Sequence, residues 1–169
     1  MNASVSDKSH VEAVEQQPED EFSRLLAPTR ISVNLNVSSK KRLLESLAGL
    51  LLKNRDELDR DTISQILIER ERLGSTGIGD GVALPHGRVN GIEHAIGAFV
   101  TLKTPLDYDA IDEQPITMAF ALLVPANANE THLKILSRLA EIFSDSEFRH
   151  RLAASTDPDL VYSEILIRG

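Results

Sequence analysis

The chain has 169 residues, 41% of them hydrophobic, which is enough for one domain with a real core. Its 26 acidic and 18 basic side chains give a formal net charge of -8, which repels phosphate backbones and argues against nucleic acid as a direct partner. There are no cysteines, so disulfides, thiolate metal sites and thiol nucleophiles are excluded, and the fold is held together by packing.

The N-terminal segment, residues 1–21, mixes small, polar and acidic residues and contains no long apolar run. Such a segment cannot bury enough apolar surface to offset the entropy of ordering it. It also has the pattern of neither a signal peptide nor a membrane anchor. We therefore expect a flexible acidic tail at residues 1–21, one folded domain at residues 22–169, a cytoplasmic location and no membrane insertion.

The first elements predicted from periodicity are a strand and two helices. Apolar and polar residues alternate over residues 31–37, the period of a half-buried strand. Ser38 or Ser39 can then cap a helix that ends at about Asn54 and has leucines on one face. The apolar spacing predicts a second helix from about residue 61 to residue 73.

Two later segments, residues 95–102 and 116–124, are apolar at nearly every position and have the length of strands. Strands of this kind are buried on both faces, which requires helices on both sides of the sheet. A helix is expected after residues 127–130, and two shorter helices begin at residues 144–147 and 157–158. The inner stripe predicted for the first of these helices is Leu133, Leu136, Leu139, Ala140 and Phe143. The predicted fold class is α/β, with helices on both faces of a central β-sheet.

A glycine-rich stretch lies just before a histidine with unusual neighbours. Residues 74–81 contain four glycines, so this backbone can make close approaches that side chains would forbid. Pro85 fixes the chain entering His86, and Gly87 and Arg88 follow with free backbone and a permanent cation. Neutral imidazole is a good nucleophile, and loop N–H groups can form an anion-binding concavity. His86 is therefore the candidate nucleophile for phosphate chemistry, which requires no metal.

A plainer interpretation is that residues 79–81 form a tight turn and that His86 is an ordinary strand-end residue. A single histidine after a proline, taken alone, favours this interpretation, because motif matches carry false positives. The other histidines have less suggestive surroundings: His10 is in the tail, His94 is in a polar approach to a strand, and His150 lies between two arginines.

Four acidic residues crowd a loop between two predicted strands and resemble a divalent-metal site: Asp107, Asp109, Asp112 and Glu113. Their spacing fits no EF-hand pattern. We interpret the segment as a solvated loop that borders a partner surface, and we expect neither a metal nor a cofactor.

The residues around His86 also resemble a known family. Residues 75–88, preceded by Arg70-Glu71-Arg72, resemble the phosphorylation-site signature of the mannitol/fructose class of IIA domains of the bacterial phosphotransferase system. A second similar string lies at residues 131–137, and the resemblance extends from about residue 25 to residue 167. Within the class, residues 77–88 look closer to the nitrogen-type members. The resemblance implies a central mixed β-sheet with helices on both faces.

The resemblance also implies roles for individual residues. The phosphoacceptor histidine, phosphorylated at Nε2, matches His86, and the second site histidine matches His132. The site arginine matches Arg70, and an acidic residue of sugar-type members matches Asp80. The other residues expected to bind phosphate are Ser75, Thr76, Gly79, Gly81 and Arg88.

Two arguments about these histidines rest on physics alone. His132 falls in the first turn of a predicted helix, where the helix dipole favours a neutral ring that donates one hydrogen bond. For His86, Nδ1 is free to donate to a nearby carbonyl and so to fix the tautomer in which Nε2 is the nucleophile. We therefore expect a partly exposed His86 with His132 close by.

The function implied by the resemblance is that of a phosphotransferase component, regulatory rather than metabolic. An HPr-like phosphocarrier protein would be the donor, and phosphorylation would alter binding to regulatory targets such as potassium-transport components or sensor kinases. Two alternatives stay open. The chain could be a sugar-transport IIA component that passes phosphate to a IIB domain, or a binding module whose His86 is never phosphorylated.

Overall fold

The computed structural model describes residues 23–128 and 130–169, and the predicted tail at residues 1–21 lies outside them. The strands are β1 Ile31–Leu35, β2 Gly77–Gly79, β3 Val82–Ala83, β4 His86–Val89, β5 Ile96–Leu106 and β6 Ile116–Pro125. The α-helices are α1 Lys40–Leu51, α2 Arg60–Arg72, α3 Thr131–Phe143, α4 Ser146–Ala154 and α5 Pro158–Arg168. A single 3-10 turn, Pro28–Arg30, precedes β1. No helix in these described ranges is long and apolar enough to span a membrane.

Side-chain caps explain where several helices begin. The Ser39 hydroxyl accepts the Arg42 N–H at the start of α1, as predicted, although α1 ends at Leu51 rather than near Asn54. Helix α4 begins within the predicted residues 144–147, and its cap is Asp145, whose carboxylate accepts the N–H groups of Glu147 and Phe148. A carboxylate at this position also interacts favourably with the positive end of the helix dipole.

The six strands form one mixed sheet, in which five follow the order β1-β5-β6-β3-β2 and β4 pairs separately with β6. Strands β5 and β6 are antiparallel, whereas β1 runs parallel to β5. Strands β3 and β4 both run parallel to β6 and pair with successive parts of it. The interruption between β3 and β4 falls at Leu84-Pro85, immediately before His86.

The two central strands are buried on both faces. Along β6, Ala119, Ala121 and Leu123 pack into the apolar cluster that contains α1 and α2, while Phe120 and Leu122 pack into the cluster on the opposite face. Helices α3, α4 and α5 cover that second face. The predicted fold class, an α/β mixed sheet with helices on both faces, is confirmed.

Two predictions about local structure are wrong. Leu133, predicted to lie in the core, is 57% exposed, because the buried face of α3 contains Ile135, Leu139, Ile142 and Phe143 instead. The glycine-rich stretch is not simply a loop: β2 and β3 form an antiparallel hairpin whose turn is Asp80-Gly81. Both turn residues have left-handed φ values, 58° for Asp80 and 79° for Gly81. Glycine adopts this conformation without steric cost and aspartate tolerates it, which allows the reversal.

Candidate functional site

His86 is the first residue of β4 and is half-buried at the surface. Its register is fixed because it pairs with Leu122 of β6, and Leu122 N–H donates to the Pro85 carbonyl at 2.9 Å. Pro85 has no N–H to donate to a neighbouring strand. The strand is therefore interrupted at Leu84-Pro85, and regular pairing with β6 begins again at His86. The partly exposed position expected for His86 is confirmed.

The ring of His86 is held in one tautomer. Its Nδ1 lies 2.8 Å from the carbonyl oxygen of Leu84. A carbonyl oxygen can only accept a hydrogen bond, so Nδ1 carries the proton when this bond forms. Nε2 of the neutral ring is then left with its lone pair. The predicted hydrogen bond from Nδ1 to a nearby carbonyl is confirmed.

The surroundings of His86 favour the neutral ring. Burial lowers the pKa of His86, and the charge of Arg70 and the electrostatic effect of His132 lower it further. The hydrogen bond to the Leu84 carbonyl and the carboxylate of Glu71 act in the opposite direction, but the pKa is lowered overall. An imidazole with a lowered pKa keeps its nucleophilic form near neutral pH.

Arg70 is brought to His86 by the packing of α2 against β4. Ile66 of α2 lies directly against the backbone of Gly87, where any Cβ would overlap its Cγ2 atom. Arg70 follows Ile66 by one helical turn and so projects from the same face of α2. Its guanidinium donates to the Gly74 carbonyl at 3.0 Å and acts electrostatically on His86. The structure therefore places Arg70 in the neighbourhood that the resemblance implied.

His132 lies in the first turn of α3, and Arg88 of β4 contacts its ring. The Arg88 guanidinium lies 3.1 Å from Nε2 of His132 and donates to the carbonyl of Ala128 at 2.6 Å. Arg88 therefore links β4 to the segment that precedes α3. Through this link the structure brings His132 to the edge of the sheet that carries His86.

Ser75 and Thr76 lie near His86, but their side chains have other partners. The carbonyl of Thr76 accepts the Leu84 N–H at 2.9 Å, which aligns Thr76 with the segment just before His86. The N–H and hydroxyl groups of Thr76 both bind the carboxylate of Glu71. The Ser75 hydroxyl donates to the Tyr108 carbonyl at 3.2 Å and accepts the Gly77 N–H at 3.1 Å.

Glu71 is a residue that the sequence reasoning did not single out. Its side chain is 5% exposed and forms an ion pair with Lys40 at 2.8 Å. The Tyr108 hydroxyl donates to the same carboxylate at 3.1 Å, and burial raises the pKa of Tyr108. The only signal in the sequence is an acidic residue in the last turn of a predicted helix, where the dipole disfavours negative charge.

Three residues predicted to bind phosphate are not brought to His86. Gly81 is level with Thr117 of β6, since its carbonyl accepts the Thr117 N–H at 2.8 Å, whereas His86 is level with Leu122. Five residues of strand separate these positions by about 16 Å. Asp80 shares the same turn, and Gly79 ends the strand before it. The Asp80 N–H binds the carboxylate of Asp112 at 3.0 Å, so the acidic loop supports this turn.

A cavity of about 270 Å³ adjoins His132. Its apolar wall includes Leu25, Val124 and Ile135, and its polar rim includes Arg24 and His94 as well as His132. His94 therefore lies closer to the site than its sequence surroundings suggested. His150 lies on α4, a helix that does not contribute to this cavity. Among residues 23–128 and 130–169, no cluster of three or more potential ligands from histidine, aspartate and glutamate could hold a metal ion.

The chain is similar to known proteins over most of its length. Residues 24–167 match the model of the family described as phosphoenolpyruvate-dependent sugar phosphotransferase system, EIIA 2. The nitrogen regulatory protein of Pseudomonas aeruginosa is 39% identical over 145 residues, which cover 86% of this chain and 94% of that protein.

Solved structures agree with the family match. The crystal structure of nitrogen regulatory protein IIA-Ntr from Neisseria meningitidis has a TM-score of 0.79 and 39% identity, covering 85% of this chain and 97% of that one. Mannitol IIA from Escherichia coli has a TM-score of 0.69 at 20% identity, covering 83% of this chain and 98% of that one, and shows the shared fold. The chain therefore belongs to the EIIA 2 family of the phosphoenolpyruvate-dependent sugar phosphotransferase system and is a phosphotransfer component of that kind.

Proposed function

We propose that this chain is a regulatory phosphocarrier that accepts a phosphoryl group on Nε2 of His86 from an HPr-like carrier protein in the cytoplasm. The observation that carries the proposal is the hydrogen bond from Nδ1 of His86 to the Leu84 carbonyl. This bond leaves Nε2 as the nitrogen with an available lone pair. The functional unit is the domain at residues 22–169.

The proposed step is an in-line displacement. The Nε2 lone pair attacks phosphorus as the phosphorus–nitrogen bond of the donor phosphohistidine breaks, and that bonding pair returns to the donor ring. Nδ1 keeps its proton throughout, and the Leu84 carbonyl stabilises the positive charge that develops on the His86 ring. No proton transfer to another side chain is needed, so catalysis reduces to positioning and electrostatics.

Two neighbouring side chains support the same step. Arg70 and His132 both act electrostatically on His86, and the oxygens of a phosphoryl group there would carry negative charge. Arg88 is bound to the Ala128 carbonyl and to His132, so its role would be to support His132. We leave Gly79, Asp80 and Gly81 out of the phosphate-binding set because their turn lies at the other end of the hairpin.

The regulatory part of the proposal is supported by the relatives called nitrogen regulatory protein. Phosphorylation adds about two negative charges, which changes repulsion and hydrogen bonding at a docking surface. We expect the targets to be proteins such as potassium-transport components or sensor kinases. A fructose-specific EIIABC relative from Bacillus subtilis is 30% identical over 83% of this chain. The test below therefore includes the sugar-transport alternative as one of its outcomes.

The test is phosphorylation by purified phosphotransferase components. The chain is incubated with phosphoenolpyruvate, the first enzyme of the system and the HPr-like carrier of the same organism, and acid-labile phosphate is mapped by mass spectrometry. We expect label on His86 and none in His86→Ala. Transfer of that label onward to a IIB domain would establish the sugar-transport alternative. A chain that stays unlabelled with an active donor would be a binding module.

A further inference from the structure

A buried carboxylate connects three segments next to His86. Glu71 binds the ammonium group of Lys40 at 2.8 Å, the N–H of Thr76 at 3.1 Å and the hydroxyl of Tyr108 at 3.1 Å. The Thr76 hydroxyl donates to the same carboxylate. These partners come from α1, from the segment after α2 and from the segment after β5.

The contacts continue from Thr76 to His86. The Thr76 carbonyl accepts the Leu84 N–H at 2.9 Å, and the Leu84 carbonyl accepts the proton on Nδ1 of His86 at 2.8 Å. Leu84, whose carbonyl selects the His86 tautomer, is therefore hydrogen-bonded directly to Thr76, the residue that Glu71 holds.

A second branch leads to Arg70. Its guanidinium donates to the carbonyl of Gly74, two residues before Thr76. The Gly74 N–H in turn donates to the backbone carbonyl of Glu71 at 3.2 Å. The conformation of residues 74–76 thus decides where the Gly74 carbonyl lies, and with it the position of the guanidinium.

We propose that Glu71 is a positioning residue for phosphotransfer, which holds residues 74–76 so that the Leu84 carbonyl fixes the His86 tautomer and the Gly74 carbonyl fixes Arg70. This inference rests on the function proposed above and adds a residue that the family resemblance did not assign.

An ionised carboxylate suits this position because it faces donors from three directions. Burial by itself raises the pKa of Glu71, but the bonds from Lys40 and Thr76 outweigh burial, and the pKa is lowered overall. Removing the carboxylate would leave the Lys40 ammonium and the Thr76 N–H without their buried partner. The segment would then move to find other partners, and the two carbonyls would move with it.

Three variants test the inference. Glu71→Met removes every oxygen while keeping an unbranched side chain of similar length. Glu71→Gln keeps the shape and one oxygen that can accept the Thr76 N–H, so it is the conservative rescue. Glu69→Met is the matched control, since Glu69 is an exposed residue of the same helix whose carboxylate binds only Gln65 among the contacts found for it.

Two measurements distinguish positioning from simple stabilisation. Nitrogen-15 NMR of the imidazole rings reports the His86 tautomer, and steady-state phosphotransfer from the HPr-like carrier gives kcat and KM separately. We expect wild type, Glu71→Gln and Glu69→Met to keep the proton on Nδ1. Folded Glu71→Met is expected to show a mixture of tautomers and a kcat about ten- to a hundredfold lower at unchanged KM.

A double-mutant cycle tests the Arg70 branch. If Glu71 acts through Arg70, then Arg70→Gln lowers kcat strongly in wild type and much less in the Glu71→Met background. Full additivity of the two losses, or a His86 ring that stays in the wild-type tautomer in Glu71→Met, would overturn the inference.

A fallback variant keeps the test decisive if Glu71→Met does not fold. Thr76→Val removes one of the two Thr76 contacts with a side chain of the same shape, and it should shift the tautomer and kcat in the same direction by a smaller amount. Unchanged values in Thr76→Val would then count against the inference. Failure of the proposed function is separately recognisable, because wild type itself would take up no phosphate on His86.

Discussion

Ile66 of α2 packs directly against the backbone of Gly87, the residue that follows the proposed phosphoacceptor in β4. Only a residue without a Cβ fits between the helix and the strand at this point. The close contact sets the distance of α2 from the strand, and Arg70 lies one turn further along the same face of the helix. A glycine in the signature around His86 thus positions an arginine seventeen residues earlier in the chain.

Gly87→Ala should therefore damage both stability and phosphotransfer. The new methyl group would overlap Cγ2 of Ile66, and overpacking of this kind costs about 1–3 kcal/mol. Urea unfolding measures the cost, and adding Ile66→Ala should recover part of it. The matched control is Gly49→Ala in α1, where the nearest atoms belong to the flexible Arg60 side chain and alanine should gain up to about 1 kcal/mol. Equal stability of Gly87→Ala and wild type would contradict the contact.

The acceptance of phosphate by His86 should persist into mildly acidic solution. Because burial, the charge of Arg70 and the electrostatic effect of His132 lower the pKa of His86, its ring stays neutral below the ordinary histidine value of about 6.5. The rate of phosphate uptake should begin to fall only below that pH. Arg70→Gln removes the guanidinium charge and should raise the pKa of His86, which an NMR titration measures directly. A lower pKa of His86 in Arg70→Gln would show that the charge of Arg70 does not act on the His86 ring as described.

The same shift makes stability depend on pH. The unfolded chain binds a proton at the ordinary histidine pKa of about 6.5, whereas folded His86 resists protonation. Its contribution is therefore fully present above about pH 6.5 and is lost as the pH falls through the lowered folded pKa. Wild type should lose more stability than His86→Gln between neutral and mildly acidic pH. Urea unfolding of both proteins over this interval checks the prediction, and parallel pH profiles would refute it.

The fold could be predicted where burial determines the pattern of apolar residues along the sequence. Residues 116–124 read as a doubly covered strand because apolar residues of β6 face both clusters. For β5 the predicted end at residue 102 is too early. Residues 103–105 are exposed, so the apolar signal stops although the strand continues to Leu106, which pairs with Ile116.

The site could be predicted only in part. The residues next to His86, and the position of Arg70 within its helix, depend on short stretches of sequence. A sequence motif can therefore predict them. The resemblance and the glycine-rich backbone predict the Asp80-Gly81 turn near the phosphate, yet the hairpin places it at the other end of β3. Glu71 was missed because its partners Lys40 and Tyr108 lie far away in the chain and meet it only in the folded sheet.

The folded domain should not need the tail at residues 1–21. In the part of the chain that the structure describes, the two apolar clusters are formed by residues from Leu25 to Ile165. A chain shortened to residues 22–169 should therefore keep the urea midpoint of the full chain and its rate of phosphate uptake. Differential scanning calorimetry and the phosphotransfer assay check the two expectations. A lower midpoint in the shortened chain would show that residues 1–21 contribute to the folded domain.

The three histidines that follow His86 in the chain can be separated by substitution. His132 acts electrostatically on His86, His94 lines the same cavity as His132, and His150 lies on α4. His132→Ala should keep the fold and slow phosphotransfer, on the order of a hundredfold if its ring donates to the phosphoryl group in the transition state. His94→Ala and His150→Ala should transfer phosphate at the wild-type rate.

Arg88→Gln extends this test to the group that holds His132. The same guanidinium nitrogen lies 3.1 Å from Nε2 and 3.4 Å from Nδ1 of His132, so Arg88 holds the ring in place. Loss of this contact should free the ring to move and slow phosphotransfer less than His132→Ala does. In the His132→Ala background, Arg88→Gln should then have little further effect, because the residue that it positions is already gone. The phosphotransfer rates of both single variants and of the double variant test this coupling. Equal rates for wild type and His132→Ala would remove His132 from the mechanism. Additive losses of rate in the double variant would show that Arg88 has a role of its own.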